Sequence, residues 1–377
     1  MTRTFSVLTV ILASASLQAQ TLDEKANQFF SGKGPVPTLK VEVDKSQIDL
    51  LNKDVRKYVR ANIHIGQETF RDVGLHLKGA AGSFRNFDDR PAMTINSNKF
   101  TKGQTIHGLD KFHLNNSVQD GSYFNELISG DMFLAAGVPT ARSCHVIVEI
   151  NGRKVGLYLL KEGYDKTFLG RHFENRLGNL YDGGFLRDID QNITLDSGPG
   201  CDWKDLKALT KACQEPNLAK RYKEIEKLLD LDKFYPYWVI EVLCCDWDGY
   251  TRNRNNYRIY HDPKTDKLVF FAHGKDQMFG NPGDPLVPGW GGLCARGLFE
   301  TEEGKKRYFK TLKEVFEKHY DVKKMHDRID ALTPRIVEAL EKINKDWARG
   351  YKEEVKNEKQ RIKDRYEFVI KELKNIK

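Results

Sequence analysis

The spacing of the hydrophobic residues changes near residue 200, and this change constrains the fold more than any other feature of the sequence. Before this point most apolar segments alternate with polar residues, a pattern that predicts β-strands. Beyond it most apolar residues recur every three or four positions, which predicts α-helices. We expect one helix among the strands, over residues 123–136, and one hairpin among the helices, over residues 256–272. The sequence therefore predicts an α+β chain with a sheet-rich N-lobe and a helical C-lobe.

Two further hairpins are predicted in the first half of the chain. His145–Ile150 and Arg153–Leu160 alternate on either side of Asn151-Gly152, a pair that favours a type I′ turn. A similar pattern joins residues 59–65 to residues 69–77. In the second half, helices are expected over Trp203–Cys213, Leu218–Leu229 and Asp232–Cys245, and from Tyr320 to the end with interruptions at Pro334 and Gly350.

Composition excludes several classes of protein and partner. The chain has 377 residues, of which 40% are hydrophobic, so it can bury a sizeable core. Lys and Arg number 61 against 53 Asp and Glu, a net charge of +8. This is a mildly basic surface of mixed sign, and no nucleic-acid partner is expected. No apolar run reaches about 18 residues, so no integral membrane segment is expected.

The N-terminus has the order of a secretory signal peptide. Arg3 precedes a short apolar run, and small and polar residues follow up to Ala19. We expect a signal peptide over residues 1–19 and export to a periplasm, cell surface or medium; the alternative is a buried first strand or helix. The predicted organisation continues with a polar leader (20–37), the N-lobe (38–163), the C-lobe (164–319) and charged C-terminal helices (320–377).

Six cysteines follow the signal peptide, and an exported chain allows disulfides. Cys201 and Cys213 flank a short helical segment and are the pair we favour. The adjacent Cys244-Cys245 lies in an apolar run and is expected to be buried as thiols. Sequence alone does not choose among the possible pairings.

A dense polar cluster follows the predicted helix that ends at Cys245. Asp248 and Asn253 are separated by four residues, the spacing that protein kinases use for the catalytic Asp and a metal-binding Asn. Asp276 lies beyond a hairpin, close before Phe279-Gly280. Together they predict a phosphoryl-transfer site with Mg²⁺ or Mn²⁺, cations that prefer oxygen ligands. The alternative is a connector whose Asp and Asn side chains cap helices and turns.

The first half offers partners for a nucleotide. Residues 78–83, from Lys78 to Ser83, form a small-residue loop that could approach phosphates, or an ordinary turn. Glu126 lies on the predicted helix and could pair with a phosphate-binding cation, or be solvated. Glu162 could lie at the lobe junction, or at the surface.

Ordered segments resemble the spore coat protein H (CotH) kinase family, a group of exported atypical kinases. The resemblance spans about residues 70–300, with a looser match in the C-terminal helices. It lies in Val73–Gly79, Lys111–Asn116, Asp120–Glu126, Ala136–Pro139, Val148–Gly152, Val155–Glu162, Gly178–Tyr181, Trp247–Tyr260 and His273–Gly280.

The resemblance implies a two-lobed protein-kinase-like fold that binds ATP with Mg²⁺ or Mn²⁺ and phosphorylates protein Ser or Thr. Asp248 would be the base, with Asp246 as the second candidate, and Asn253 and Asp276 would be metal ligands. Glu126 would pair with the nucleotide-binding cation. Where the family often has Lys-Lys-Pro, this chain has Asp89-Arg90-Pro91, so Arg90, Lys78 or Lys99 would have to supply that cation.

The sequence is therefore compatible with two functions. The first is a secreted kinase. The second is a non-catalytic envelope or surface binding protein on a kinase-like scaffold, favoured by the scarcity of ATP outside the cell and by the change at Arg90.

Overall fold

The computed structural model describes residues 23–80 and 82–376, so the predicted signal peptide lies outside the described residues. The chain divides into two compact units. Unit 1 holds the described residues of Met1–Val118 together with Ala141–His172 and Arg335–Ala348. Unit 2 holds Gln119–Thr140, Phe173–Pro334 and Arg349–Lys377. Strands and helices are both abundant, which confirms the predicted α+β class.

Seven strands close into a barrel in unit 1, in the order β1-β2-β3-β4-β5-β7-β6. Neighbouring pairs are antiparallel except for β1 and β6, whose parallel pairing closes the barrel. A second sheet, in unit 2, has the order β11-β10-β8-β9. The strands are β1 Thr38–Glu42, β2 Val59–Ile65, β3 Glu68–Lys78, β4 Ala92–Asn96, β5 Lys111–Asn115, β6 Ser143–Ile150, β7 Arg153–Glu162, β8 Leu180–Asp182, β9 Thr194–Ser197, β10 Tyr257–Asp262 and β11 Lys267–Ala272.

The longest helices lie wholly or mainly in unit 2. Residues 23–30 form α1, and the others are α2 Lys45–Lys53, α3 Asn125–Ala135, α4 Lys166–His172, α5 Lys204–Cys213, α6 Leu218–Leu228, α7 Leu231–Leu243, α8 Tyr250–Asn253, α9 Leu293–Phe299, α10 Glu302–His319, α11 Val322–Glu341 and α12 Lys345–Leu373. None of these helices is both long and apolar enough to cross a bilayer within the described part of the chain.

The β6–β7 turn forms as its sequence predicts. Asn151 and Gly152 both have positive φ, 48° and 78°, as a type I′ turn requires. The Asn151 side chain also accepts from Val43 N and donates to Val43 O, at 2.8 and 2.9 Å. These two hydrogen bonds attach the β6–β7 turn to Val43, the residue that follows β1, and β1 is the strand that pairs with β6.

The segment predicted as a polar leader contributes to the barrel core. Ala26 and Phe30 of α1 are buried in the same hydrophobic cluster as the inward-facing residues of the strands. Their spacing of four places both on one face of the helix.

The core of unit 2 is aromatic. Trp238 of α7 packs edge-on against Trp290, with ring centroids 4.7 Å apart, and against Tyr308 of α10 at 4.6 Å. Phe270 of β11 contacts Tyr250 of α8 at 4.7 Å. This packing fixes β11 and α8, the elements on either side of the predicted site, against one another.

The predicted interruptions of the C-terminal helices are wrong. Pro334 lies inside α11 and Gly350 inside α12, and the break falls between the two helices, after Glu341. Pro334 lacks the N–H that would bond Asp330 O, a loss that weakens or kinks the helix without ending it here; beside it, Thr333 Oγ1 donates to Ile329 O over 2.8 Å. Gly350 does not end α12 because one glycine in a helix interior costs only about 0.5–1 kcal/mol, which a helix of 29 residues tolerates.

The favoured pairing of Cys201 with Cys213 is also wrong. All six cysteines are free thiols in the structure. Cys201 Sγ donates to Asp205 Oδ1 over 3.1 Å, whereas Cys213 Sγ faces Cys294 Sγ at 3.8 Å. Both Cys244 and Cys245 are buried thiols, as predicted.

Candidate functional site

Asp248 is 8% exposed, and its carboxylate accepts hydrogen bonds from four side-chain amides that all follow it in the chain. Its Oδ1 accepts from Asn253 Nδ2 at 2.7 Å. Its Oδ2 accepts from Asn255 and Asn256 Nδ2 at 3.0 and 2.9 Å, and from Gln277 Nε2 at 3.4 Å. The four donors are neutral amides, so they fix the position of the carboxylate without placing a positive charge beside it.

The Gln277 contact joins the two polar segments that bracket the β10–β11 hairpin. His273 N donates to Asn256 O at 2.8 Å, extending the hairpin pairing by one step. Gly274 is required there, since a Cβ at this position would lie 2.5 Å from Asn256 Oδ1. The hairpin therefore brings the segment that carries Asp276 back to the segment that carries Asp248, as the sequence predicts.

Glu241 of α7 is a residue that sequence reasoning missed. It is buried and accepts from Thr251 Oγ1 at 2.6 Å, Thr251 N at 3.0 Å and Tyr250 N at 3.2 Å. These backbone groups are the otherwise unpaired donors at the start of α8. Glu241 thus caps, from a different helix, the short helix that ends in Asn253; no local spacing rule signals such a cap.

Asp246, the second candidate for the base, is buried among other carboxylates. Burial first, and then the charges of Glu241, Asp248 and Asp276, raise the pKa of Asp246 well above its usual range. Glu241 also has a raised pKa through burial, but the three donors that it accepts favour its charged form. Burial and the nearby carboxylates thus disfavour the ionised form of Asp246, which is the form that a general base requires.

The segment that follows β11 is fastened to α3. Asn125 Nδ2 donates to Asp276 O at 3.0 Å and to Met278 O at 2.7 Å. Asp120 in turn caps α3, accepting from Asn125 N at 3.0 Å. Burial raises the pKa of Asp120 to about 6, and the charge of Asp276 adds to that rise.

Glu126, on the next position of α3, lies beside Lys275. Its Oε1 is 3.9 Å from Lys275 Nζ, and both side chains are almost fully buried. Lys275 Nζ also donates to Thr140 Oγ1 at 3.1 Å. Glu126 is therefore not a solvated carboxylate, and a cation next to Asp276, which the sequence analysis did not consider, faces it.

The remaining candidates lie in unit 1. Lys78 Nζ donates to Asn115 Oδ1 at 2.7 Å. Arg90 donates to Leu157 O at 2.6 Å and lies over the ring of Tyr158. Lys99 is exposed, with its Nζ 5.1 Å from the ring centroid of Tyr58.

Glu162 is buried rather than at the surface. Its Oε1 lies 2.6 Å from Arg142 Nη2 and its Oε2 lies 2.5 Å from Arg171 Nη2. Two guanidinium groups thus share one carboxylate, an arrangement that stabilises the β7–α4 connection of unit 1.

Arg365 of α12 is a second functional candidate that the sequence did not reveal. It is fully buried and donates to the carbonyls of Val242 and Leu243 at 2.7 and 3.1 Å, at the C-terminal end of α7. It also donates to Pro282 O at 3.0 Å and to Asp284 O. A cation suits the negative end of a helix dipole. Arg365 therefore holds the end of α7, which leads to Asp246 and Asp248.

Comparisons with known proteins agree with the motifs. A family model described as CotH kinase protein matches residues 75–375. The inner spore coat protein H of Bacillus subtilis is 24% identical over 272 residues, covering 63% of this chain and 70% of that protein. The Rhizopus delemar invasins CotH3 and CotH2 are 25% and 24% identical, covering 56% and 65% of this chain. This chain spans 38% and 45% of the length of those two invasins.

Among solved structures, the chain matches that of the Helicobacter pylori proinflammatory kinase CtkA. The match covers 78% of this chain and 96% of the CtkA chain, with 8% sequence identity and a TM-score of 0.34. This TM-score is too low to establish a shared fold.

Proposed function

This chain belongs to the CotH kinase family, and from that premise we propose that it is an exported kinase that transfers the γ-phosphate of ATP to Ser or Thr of a protein. The observation that carries the proposal is the set of hydrogen bonds around Asp248. They join its carboxylate to Asn253 on one side and to Gln277, next to Asp276, on the other.

Asp248 is the residue we assign to the acceptor hydroxyl. Within the described residues Oδ1 accepts one hydrogen bond and Oδ2 accepts three, so Oδ1 retains more capacity to orient a hydroxyl group. A general base must be ionised at the working pH. The raised pKa of Asp246 therefore favours Asp248 over Asp246 for this role.

Asn253 and Asp276 are the residues we assign to a divalent cation, Mg²⁺ or Mn²⁺. Asn253 uses Nδ2 as a donor to Asp248, which leaves its Oδ1 as the ligand atom. Within residues 23–80 and 82–376, no group of three or more His, Cys, Asp or Glu side chains could hold a metal by itself. Such a donor set fits Mg²⁺, which commonly takes one or two protein ligands together with substrate phosphates. The bound cation would neutralise charge on the transferring phosphate.

The cation that contacts the nucleotide is assigned less directly. Arg90 is engaged with Leu157 O and with the ring of Tyr158, which does not favour it. Lys78 remains the candidate from the family resemblance; its Nζ donates to Asn115 Oδ1, and Glu126, the helix carboxylate that the resemblance implies, faces Lys275. Glu162 would support nucleotide binding only through its neighbours, because two arginines already share its carboxylate.

The second candidate function is a surface binding protein without catalytic activity. Its support is the naming of two relatives as invasins and one as a spore coat protein, together with the Asp89-Arg90 sequence. Such a protein would retain the fold but bind neither ATP nor the divalent cation.

A titration with ATP in the presence and absence of Mg²⁺ or Mn²⁺ separates the two functions. A kinase should show a metal-dependent thermal shift and incorporate labelled phosphate, and both Asp248→Ala and Asp276→Ala should abolish incorporation. Glu317→Gln, an exposed carboxylate of α10, is the control and should behave as wild type. No shift and no incorporation would favour the binding protein, and undiminished transfer by both variants would refute the assigned site.

A further inference from the structure

Two buried cysteines of unit 2 face each other across the interface of α5 and α9. Cys213 ends α5 and Cys294 lies in the first turn of α9, 81 positions apart in sequence. Their Sγ atoms are 3.8 Å apart, and the residues are 2% and 0% exposed. A disulfide needs an S–S distance of about 2.05 Å, so the sulfurs must approach by about 1.8 Å.

A glycine brings the two helices close enough for such an approach. Gly297 lies three residues after Cys294, hence on the same face of α9. A Cβ at Gly297 would lie 3.1 Å from Cys213 O and 3.3 Å from Cys213 Cβ. The backbone of α9 therefore packs directly against Cys213, and side-chain rotation can supply much of the remaining movement.

The other cysteines have different neighbours. Cys201 is bonded to Asp205, and Cys244 Sγ lies 3.6 Å from Met132 Sδ. Cys144 is buried in the barrel of unit 1. Among the described cysteines, Cys213 and Cys294 are the pair that a thiol–thiol hydrogen bond joins.

We propose that Cys213 and Cys294 form a disulfide when the chain folds in an oxidising compartment. The oxidant is a disulfide, either small, such as oxidised glutathione, or carried by a protein. One cysteine thiolate attacks that disulfide, giving a mixed disulfide and releasing one thiol. The second cysteine thiolate then attacks the mixed disulfide, forming the Cys213–Cys294 bond and releasing the second thiol. The two cysteine protons pass to the two thiols released.

The reaction belongs to folding rather than to the folded state. Both sulfurs are buried from a dissolved oxidant. Burial and the neighbouring thiol also raise the pKa of Cys294 well above its usual range, so its thiolate is scarce once the chain is folded.

The disulfide would stabilise the candidate site through hydrogen bonds that link α9 to α8. Cys294 N donates to Tyr250 Oη at 3.1 Å, and Tyr250 Oη donates to Asp188 Oδ1 at 3.0 Å. Asp188 Oδ2 also accepts from Leu293 N at 2.8 Å. Since Tyr250 begins α8, a fixed α9 holds the helix that ends in Asn253. This inference goes beyond the proposed function, and its test uses no nucleotide.

The full chain should be unfolded in reductant, refolded with reduced and oxidised glutathione, denatured without reductant and alkylated. We expect two of the six cysteines to escape alkylation, and a cross-linked peptide containing Cys213 and Cys294. The oxidised protein should melt at a higher temperature than the reduced protein. Cys213→Ser and Cys294→Ser should each remove both effects, whereas Cys144→Ser should keep the cross-link.

Alkylation of all six cysteines after oxidative refolding would overturn the proposal. So would a cross-link that joins a different pair, including Cys201 with Cys213. Peptide mapping of the alkylated chain reads out these results even if a serine variant fails to fold.

Discussion

Asn253 donates a hydrogen bond from its side-chain amide to Asp248 Oδ1 over 2.7 Å, and Asn253 is the last residue of the short helix α8. One residue of this pair is our candidate base and the other our candidate metal ligand. Their direct contact means that any change in α8 moves both groups together.

Asn253→Ala should raise the Mg²⁺ concentration needed for half-maximal phosphate transfer by about 10- to 100-fold, because it removes a metal ligand and a partner of Asp248. A Mg²⁺ titration of the transfer rate measures this. Asn357→Ala, an exposed asparagine of α12, is the matched control. An unchanged Mg²⁺ requirement in Asn253→Ala would remove Asn253 from the metal site.

Glu241→Ala should lower the free energy of unfolding by about 2–3 kcal/mol, since it leaves the buried amides of Tyr250 and Thr251 without an acceptor. Glu241→Gln should lose less, about 1 kcal/mol, because the amide oxygen still accepts. Urea unfolding measures both. Glu317→Ala is the exposed control, and equal stability of Glu241→Ala and that control would contradict the capping role.

Arg365→Met should lower the free energy of unfolding by about 3 kcal/mol, because the buried carbonyls at the end of α7 lose a charged donor while the apolar stem is kept. The free energy of unfolding, measured with denaturant, and the rate of phosphate transfer should both decrease. Lys363→Met, two positions away on α12 with a 56% exposed side chain, is the control and should change little. A fully stable Arg365→Met would show that α7 does not need this contact.

Glu358 should make the protein less stable as the pH rises. Burial raises the pKa of Glu358 to about 8 although Arg361 pairs with it. Between its ordinary value of 4.5 and about 8, the folded chain keeps a proton that the unfolded chain has lost. The free energy of unfolding therefore falls through this window, and the full cost is present above it.

Glu358→Gln should flatten that fall and make the protein more stable than wild type at about pH 9, by on the order of 3 kcal/mol. Urea unfolding at about pH 5, 7 and 9 measures the slopes. The free energy of unfolding of Glu358→Gln should still fall somewhat with pH, because the pKa of Asp120 is also raised, to about 6. Glu353→Gln, 63% exposed on the same helix, is the control. Parallel pH profiles for wild type and Glu358→Gln would show that Glu358 ionises normally.

The sequence predicted those features that depend on neighbours in the chain. The Asn151-Gly152 turn forms because the two residues tolerate positive φ whatever surrounds them. The β10–β11 hairpin follows from alternation, and it suffices to bring Gln277 to Asp248. The family resemblance likewise rests on the order of local motifs.

Tertiary structure alone decided which distant groups meet. Glu241 caps α8, Lys275 faces Glu126, Arg365 reaches the end of α7, and Cys213 meets Cys294 instead of Cys201. Each of these contacts joins residues from separate elements whose positions are set by the burial of apolar faces, so no local pattern encodes the partner. The sequence by itself determined the local turns, the α+β class and the family; the packing of the core decided which buried charges and thiols became neighbours.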